Sequence, residues 1–130
     1  MIDLNYAAIV AASVAVFVVS SVYYVLLSGR LAELSPVYAD TSRPAAWKIA
    51  QEPVRALVTA IVVAGLTRLL GIVDLAGAVQ LAIALWIGFP AMLLAGSVIH
   101  ENVPPMLAAI HAGDWLLKLL IVGVLVSLWR

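Results

Sequence analysis

The 130-residue chain contains no cysteine, and only 11% of its residues are charged. The missing cysteine excludes disulfides, thiolate metal sites and a cysteine nucleophile. The charged fraction is far below the roughly 25% that is typical of soluble domains. Seven basic and seven acidic residues balance to a formal net charge of zero, so no basic surface suggests nucleic acid as a partner. The sequence also lacks nucleotide-binding glycine loops and serine nucleophile elbows.

Apolar residues, in contrast, make up 65% of the chain. Four apolar runs reach the roughly 17–25 residues that a helix needs to cross the hydrocarbon core of a membrane. We therefore predict an all-α polytopic membrane protein, with four transmembrane helices in one bundle and one domain. The first run is too long for a signal peptide and lacks a basic leader region, so we expect it to be retained. The predicted spans cover residues 4–27, 53–70, 75–99 and 105–129.

The basic residues divide unequally between the two sides of such a bundle. The first and third loops, with the adjacent helix ends, carry Arg30, Arg43, Lys48 and Arg55. The opposite side carries Arg68 and Arg130. Because basic residues are enriched in cytoplasmic loops, the first and third loops are predicted to be cytoplasmic. The chain is expected to be an integral membrane protein, with the lipid bilayer as the surrounding partner.

Small residues recur at every fourth position in the first two predicted spans. Such stripes allow helix backbones to approach closely, which is a main packing device in membranes. Packing within one chain is the simpler interpretation, and contact within a homo-oligomer is the alternative. The stripes consist of Ala7, Ala11 and Ala15 in the first span and Ala56, Ala60 and Ala64 in the second.

Prolines and aromatic residues mark the interruptions and ends of the predicted helices. Pro90 cannot donate a hydrogen bond to the Trp86 carbonyl, so a kink is expected in the third span. In the long first loop, Pro36 and Pro44 are expected to break the chain, and residues 45–51 to form a short interfacial helix. Four aromatic residues near span ends are suited to anchoring at the membrane interface: Tyr23, Tyr24, Trp47 and Trp129.

The fourth predicted span contains the clearest functional clue. His111, Asp114 and Lys118 fall on one face of a helix. Asp114 and Lys118 are four residues apart, a spacing at which an acid and a base meet. A charge inside a membrane costs roughly 2.5–3.5 kcal/mol on insertion scales, so it usually faces protein, water or a partner charge. We therefore expect an ion pair inside the bundle.

Ionisable residues at the ends of neighbouring spans extend this polar face. Glu52 and Arg55 open the second span, and His100 and Glu101 close the third. These groups either neutralise one another structurally, or line a path for a proton, an ion or a small solute. In a third interpretation, the two histidines bind a metal together with two carboxylates. The sequence contains no diagnostic metal-binding spacing, so neither a metal nor a cofactor is expected.

Three strings in the second half of the chain stand out together: Trp86-Ile-Gly-Phe89, His100-Glu101 and His111-Ala-Gly-Asp-Trp-Leu-Leu-Lys118. With these strings, and with the aromatic-rich residues 23–29, the chain resembles the bacterial membrane proteins grouped as domain of unknown function 1761. The resemblance extends over nearly the whole chain. It implies a small four-helix membrane protein and brings no known activity. It also groups seven residues in one local motif: Trp86, Gly88, His111, Gly113, Asp114, Trp115 and Lys118.

The predicted function is that of a small transport-related or channel-like membrane protein with a polar site inside the membrane. Asp114 is expected to keep Lys118 charged and oriented, while His111 acts as a titratable relay and Arg55 and Glu101 shape the entrance. The competing hypothesis is a structural or accessory subunit that docks a partner protein or a lipid. Neither hypothesis requires an enzyme. The predicted polar site is His111, Asp114, Lys118, Arg55, Glu101 and His100, and the predicted supporting residues are Gly88, Pro90, Gly113, Trp86 and Trp115.

Overall fold

The computed structural model describes residues 3–40 and 46–129. Within these ranges every regular element is an α-helix: α1 (Tyr6–Leu26), α2 (Ser28–Leu34), α3 (Pro36–Ala39), α4 (Ala46–Leu70), α5 (Leu75–Gly88), α6 (Pro90–Glu101) and α7 (Pro105–Leu128). In the same ranges, four stretches are long and apolar enough to cross a membrane: α1, α4, the combined α5–α6 stretch and α7. The predicted all-α bundle with four transmembrane helices is confirmed, and its apolar helices indicate a membrane location.

Helix α7 lies at the centre of the bundle. It packs against α1, α4, α5 and α6, whereas α5 and α6 pack mainly on α7 and on each other. Val122 and Val126 of α7 join Ile9 of α1 and Ala60 of α4 in one buried apolar core. Helices α1, α4 and α7 therefore form a mutually packed group of three, to which the α5–α6 span is attached through α7.

The two predicted alanine stripes have different outcomes. The stripe in α4 is buried, with Ala56, Ala60 and Ala64 at most 8% exposed. The stripe in α1 is not the packed face, because Ala7 is exposed and the neighbouring Ala8 is buried. The stripe in α1 therefore does not form the packed face within the chain, and its alternative role in a homo-oligomer stays a prediction.

A hydrogen bond to α7 accompanies the observed rotation of α1. The buried Ala8 and Ala12 begin a row at fourfold spacing that continues through Val16 to Ser20. The hydroxyl of Ser20 donates to Oδ1 of Asp114 over 2.6 Å. This hydrogen bond stabilises the same rotation of α1 that buries Ala8, Ala12 and Val16.

Helix α4 begins earlier than the predicted second span. Residues 46–51 belong to the same helix as Pro53, so the structure has no separate interfacial helix in this part of the described chain. Pro53 cannot donate to the carbonyl of Ile49. Ile49 is 49% exposed at the end of the helix, where water or lipid head groups can satisfy the freed carbonyl. The prediction of a separate interfacial helix before Pro53 is corrected accordingly.

The first loop contains two short helices that the sequence pattern did not reveal. Helix α2 follows α1 directly after Leu27, and its Leu31 is only 1% exposed. Pro36 stands at the start of α3, so it breaks the chain as predicted. Helices α2 and α3 pack together and bring Tyr38 next to α7, 6.2 Å from His111 between ring centroids. The predicted break at Pro44, along with Arg43, Ala45 and Arg130, lies outside the described residues.

The third span is interrupted where the sequence predicts a kink. Helix α5 ends at Gly88 and α6 begins at Pro90, with Phe89 in a non-helical conformation between them (φ −121°, ψ −77°). The start of this span is capped by Asp74, whose Oδ1 accepts a hydrogen bond from the Gly77 amide over 2.9 Å. The interruption divides the span into two helices that both pack on α7.

Candidate functional site

The charged pair predicted in α7 is present inside the bundle. Lys118 Nζ lies 2.7 Å from Oδ2 of Asp114, and the two side chains are 17% and 3% exposed. The spacing of four residues on one helix brings these side chains together without help from another element. The indole ring of Trp115 lies beside the ammonium, with its centroid 4.9 Å from Nζ, and forms a cation–π contact.

Helix α1 supplies further partners for the Asp114 carboxylate. Ser20 donates to Oδ1 over 2.6 Å, and the Tyr24 hydroxyl donates to Oδ2 over 3.5 Å. Both carboxylate oxygens are therefore hydrogen-bonded in addition to the ion pair with Lys118. A buried charge is tolerated only when it is paired and hydrogen-bonded in this way.

Tyr24 also connects the carboxylate to His111. Its hydroxyl lies 2.7 Å from His111 Nδ1, so one phenol contacts both His111 and Asp114. The neighbouring Tyr23 donates to the Ile110 carbonyl over 2.6 Å. Both tyrosines are suited by their sequence position to anchoring at the membrane interface, whereas the structure directs their hydroxyls toward α7.

Gly113 makes this approach of α1 to α7 possible. A Cβ atom added at position 113 would lie 2.5 Å from the Tyr23 hydroxyl, which is closer than real Cβ contacts. On the other side of α7, Nε1 of Trp86 donates to the Ala112 carbonyl over 2.8 Å and ties α5 to the same turn. Gly88, by contrast, has open space around its α-carbon. The predicted supporting residues therefore include two with a clear local role, Gly113 and Trp86.

The ion pair and its partners Ser20, Tyr24 and His111 line a polar cavity of about 530 Å³ between α1, α4 and α7. At its wider end, Nη1 of Arg55 is 2.9 Å from Oε1 of Glu52, and both side chains are substantially exposed. Tyr38 from α3 completes the wall, and burial together with the charges of Asp114 and Glu52 raises its pKa above the usual value. The polar side chains around the cavity are Ser20, Ser21, Tyr24, Tyr38, Glu52, Arg55, Thr59, His111, Asp114 and Lys118.

Two predicted site residues are not brought to this cavity. His100 and Glu101 are exposed at the end of α6, which contributes only Leu94 to the lining. In residues 3–40 and 46–129, no three histidine, aspartate or glutamate side chains are grouped so that they could hold a metal ion. Glu52 takes the place beside Arg55 that was expected for Glu101.

Ser20, Tyr24 and Tyr38 are site residues that the sequence analysis missed. A signal for two of them exists, because Ser20 and Tyr24 are four residues apart and place two hydroxyls on one face of an apolar span. Tyr38 has no comparable signal, since its position depends on how α2 and α3 fold back over α7. The spacing of Ser20 and Tyr24 thus predicts the functional face of α1, whereas no spacing predicts the contribution of the first loop.

The chain matches the family described as "Protein of unknown function (DUF1761)" over residues 7–127. Because the match covers nearly the whole chain, the protein belongs to this family, and the resemblance seen in the sequence is confirmed. No curated protein and no solved structure matches the chain. The description of the family supplies no activity.

Proposed function

We propose that this member of the DUF1761 family is a small transport-related membrane protein, which binds a proton, an ion or a small polar group at an intramembrane site. The main supporting observation is the Asp114–Lys118 ion pair, which is buried in an apolar bundle but borders a cavity. Ionisable residues inside membrane helices are rare and are functional by default. A purely structural pair has no need of an adjoining cavity of this size.

The hydrogen-bonded groups give each residue a role in this proposal. Asp114 keeps Lys118 charged and oriented, because the carboxylate compensates the ammonium over 2.7 Å. Tyr24 connects Asp114 with His111. Histidine side chains ordinarily titrate near neutral pH, which is the property that a proton relay needs. Arg55 and Glu52 form the exposed end of the cavity, where a charged or polar group first meets the protein.

A flux measurement on purified protein in liposomes tests this function. Vesicles that contain a pH-sensitive dye are given a potassium diffusion potential, and proton uptake is followed by fluorescence. We expect Lys118→Leu to abolish the protein-dependent flux. The matched control is Lys48→Leu, which removes the same charge from a residue of α4 that does not line the cavity. Its flux is expected to equal that of the unchanged protein.

A second variant guards against a trivial loss of folding. Lys118→Leu leaves Asp114 without its counter-ion, so the double variant Asp114→Asn, Lys118→Leu is measured in parallel as a neutral replacement. A folded double variant without flux supports the proposal. Unchanged flux in both variants, or the absence of proton and small-ion flux in the unchanged protein, contradicts it.

The exposure of the third span favours a second candidate function. In the most apolar 18-residue stretch of the α5–α6 span, only 6% of the residues are buried, compared with 33% in α7. Such an uncovered span is suited to docking a partner protein or another copy of the chain, as expected of an accessory subunit. This candidate predicts that the unchanged protein is silent in flux assays and that Met92→Trp, at a 58% exposed residue of α6, removes a protein that co-purifies with the chain.

A further inference from the structure

An apolar groove of about 510 Å³ lies between α4 and the α5–α6 span, with α7 between them. It exists because α5 and α6 pack mainly on α7, which leaves a gap beside α4. Val62 and Leu66 line it from α4, and Leu85 and Leu93 line it from the interrupted span. Val62 is 56% exposed and Leu93 is 73% exposed, so the groove opens on the surface that faces lipid.

The groove lies next to the polar cavity. Thr59 and Trp115 line both spaces, and α6 contributes Leu94 to the cavity and the adjacent Leu93 to the groove. The hydroxyl of Thr59 donates to the Arg55 carbonyl over 3.0 Å, which leaves its methyl group for apolar contact. A polar compartment of about 530 Å³ therefore lies beside an apolar one of about 510 Å³, with Thr59 and Trp115 between them.

The remaining hydrogen-bonding capacity of the cavity determines which head group fits. Both oxygens of Asp114 already accept hydrogen bonds from the protein. An ammonium has three N–H donors and a guanidinium has five, and the ion pairs of Lys118 and Arg55 each use one of these donors. Glu52 is the second carboxylate of the lining, and its Oε1 already accepts hydrogen bonds from Arg55 and Gln51. The unused capacity of the cavity is therefore mainly that of donors on positive groups, which are the partners of carboxylates and phosphates.

We propose that the two compartments together bind a single-chain anionic amphiphile from the bilayer. Its oxyanion head, a carboxylate or phosphate, lies against Lys118 and Arg55, and its hydrocarbon chain lies in the groove between α4 and α5–α6. The open side of the groove lets the molecule arrive laterally from the membrane. This inference goes beyond the proposed function, which concerns a proton, an ion or a small polar group.

Photolabelling of the full chain in phosphatidylcholine nanodiscs tests the proposal. The probe is a long-chain fatty acid with a diazirine in the middle of its chain, and labelled residues are mapped by mass spectrometry. We expect saturable labelling of α4 and α6 residues that line the groove. Unlabelled fatty acid should compete about tenfold better than the alcohol of the same chain length, because the charge-assisted hydrogen bonds require the carboxylate. Equal competition by the alcohol overturns the proposal.

Two adjacent tryptophan substitutions provide a matched comparison. Val62→Trp fills the groove, so the hydrocarbon chain of the probe loses its contacts there, and we expect labelling to fall about tenfold. Ile61→Trp places the same side chain one position away, at a 41% exposed residue that does not line the groove. It should leave labelling unchanged. Equal labelling of the two variants overturns the proposal, and so do crosslinks showing that a second copy of the chain fills the groove.

The labelling and flux experiments can fail independently. If labelling is unselective while Lys118-dependent flux persists, the amphiphile proposal is wrong and the transport proposal stands. If labelling is saturable and selective for the acid while no Lys118-dependent flux of protons or ions occurs, binding stands and transport of protons or ions is wrong.

Discussion

Two spans of this protein are almost equally apolar but hold very different places in the fold. The most apolar 18-residue stretch of each span has a mean hydropathy of 1.8 in α7 and 2.0 in α5–α6. Nevertheless, 33% of the residues in this stretch are buried in α7 and only 6% in α5–α6. Hydropathy thus identifies a membrane helix, but it does not reveal whether protein or lipid surrounds the helix.

The position of charged residues distinguishes the two spans better than hydropathy does. Helix α7 carries Asp114 and Lys118 in its middle, whereas the charges of α5–α6 stand at its ends, at Asp74 and Glu101. A charge in the middle of a span must be covered by protein or water, and a charge at an end reaches the interface. The charged span is therefore the one that the other helices surround.

The largest expected effect comes from breaking the ion pair of α7. Asp114→Ala leaves the Lys118 ammonium buried without a counter-ion, and we expect a loss of about 3–5 kcal/mol in the free energy of unfolding. The double variant Asp114→Ala, Lys118→Leu should lose clearly less, because it removes the unpaired charge. Unfolding by sodium dodecyl sulfate in mixed micelles measures both values. Equal losses would argue against a direct contact between the two side chains.

Glu101→Ala is the matched control for this experiment. It also removes one carboxylate, but from the exposed end of α6. A surface substitution of this kind usually changes stability by at most about 0.5 kcal/mol. A loss as large as that of Asp114→Ala would mean that charge position does not separate the two spans.

The next effect concerns the close approach of α1 to α7. In Gly113→Ala the new Cβ would lie 2.5 Å from the Tyr23 hydroxyl, so this hydroxyl must move away from the Ile110 carbonyl. Because one hydrogen bond is lost and the packing is crowded, we expect a destabilisation of about 1–2 kcal/mol. In a Tyr23→Phe background, the same substitution should cost clearly less. An undiminished cost there would assign the effect to another contact.

Much of this fold could be predicted because each span is determined by its own residues. The starts of α5 and α7, the cap at Asp74 and the interruption at Pro90 all follow from local chemistry. The Asp114–Lys118 contact was predictable for the same reason, since both partners belong to one helix. Local spacing is sufficient wherever the interacting groups are separated by one turn.

Contacts between helices were less accessible to prediction. The rotation of α1 brings Ser20 to Asp114, which is 94 residues away in the sequence. Tyr38 reaches the cavity only because α2 and α3 fold over α7. Glu101 was expected beside Arg55, but Glu52 is one turn away from Arg55 on the same helix and pairs with it directly. Tyr38 is thus the missed residue whose position depends on packing alone, whereas Ser20, Tyr24 and Glu52 each have a partner at helical spacing in the sequence.

The smallest expected effect has the opposite sign and lies in α6. A Cβ added at Gly96 meets no atom within 4 Å, so Gly96→Ala adds no clash within the chain. Alanine is favoured over glycine inside a helix by roughly 0.5–1 kcal/mol, and we expect a gain of about this size or less in the free energy of unfolding. The same unfolding assay measures it, at protein concentrations low and high enough to reveal association. If Gly96→Ala instead destabilises the protein, and more strongly at high concentration, α6 is covered by a second copy of the chain. The contrast between a buried α7 and an uncovered α5–α6 would then hold for the single chain only.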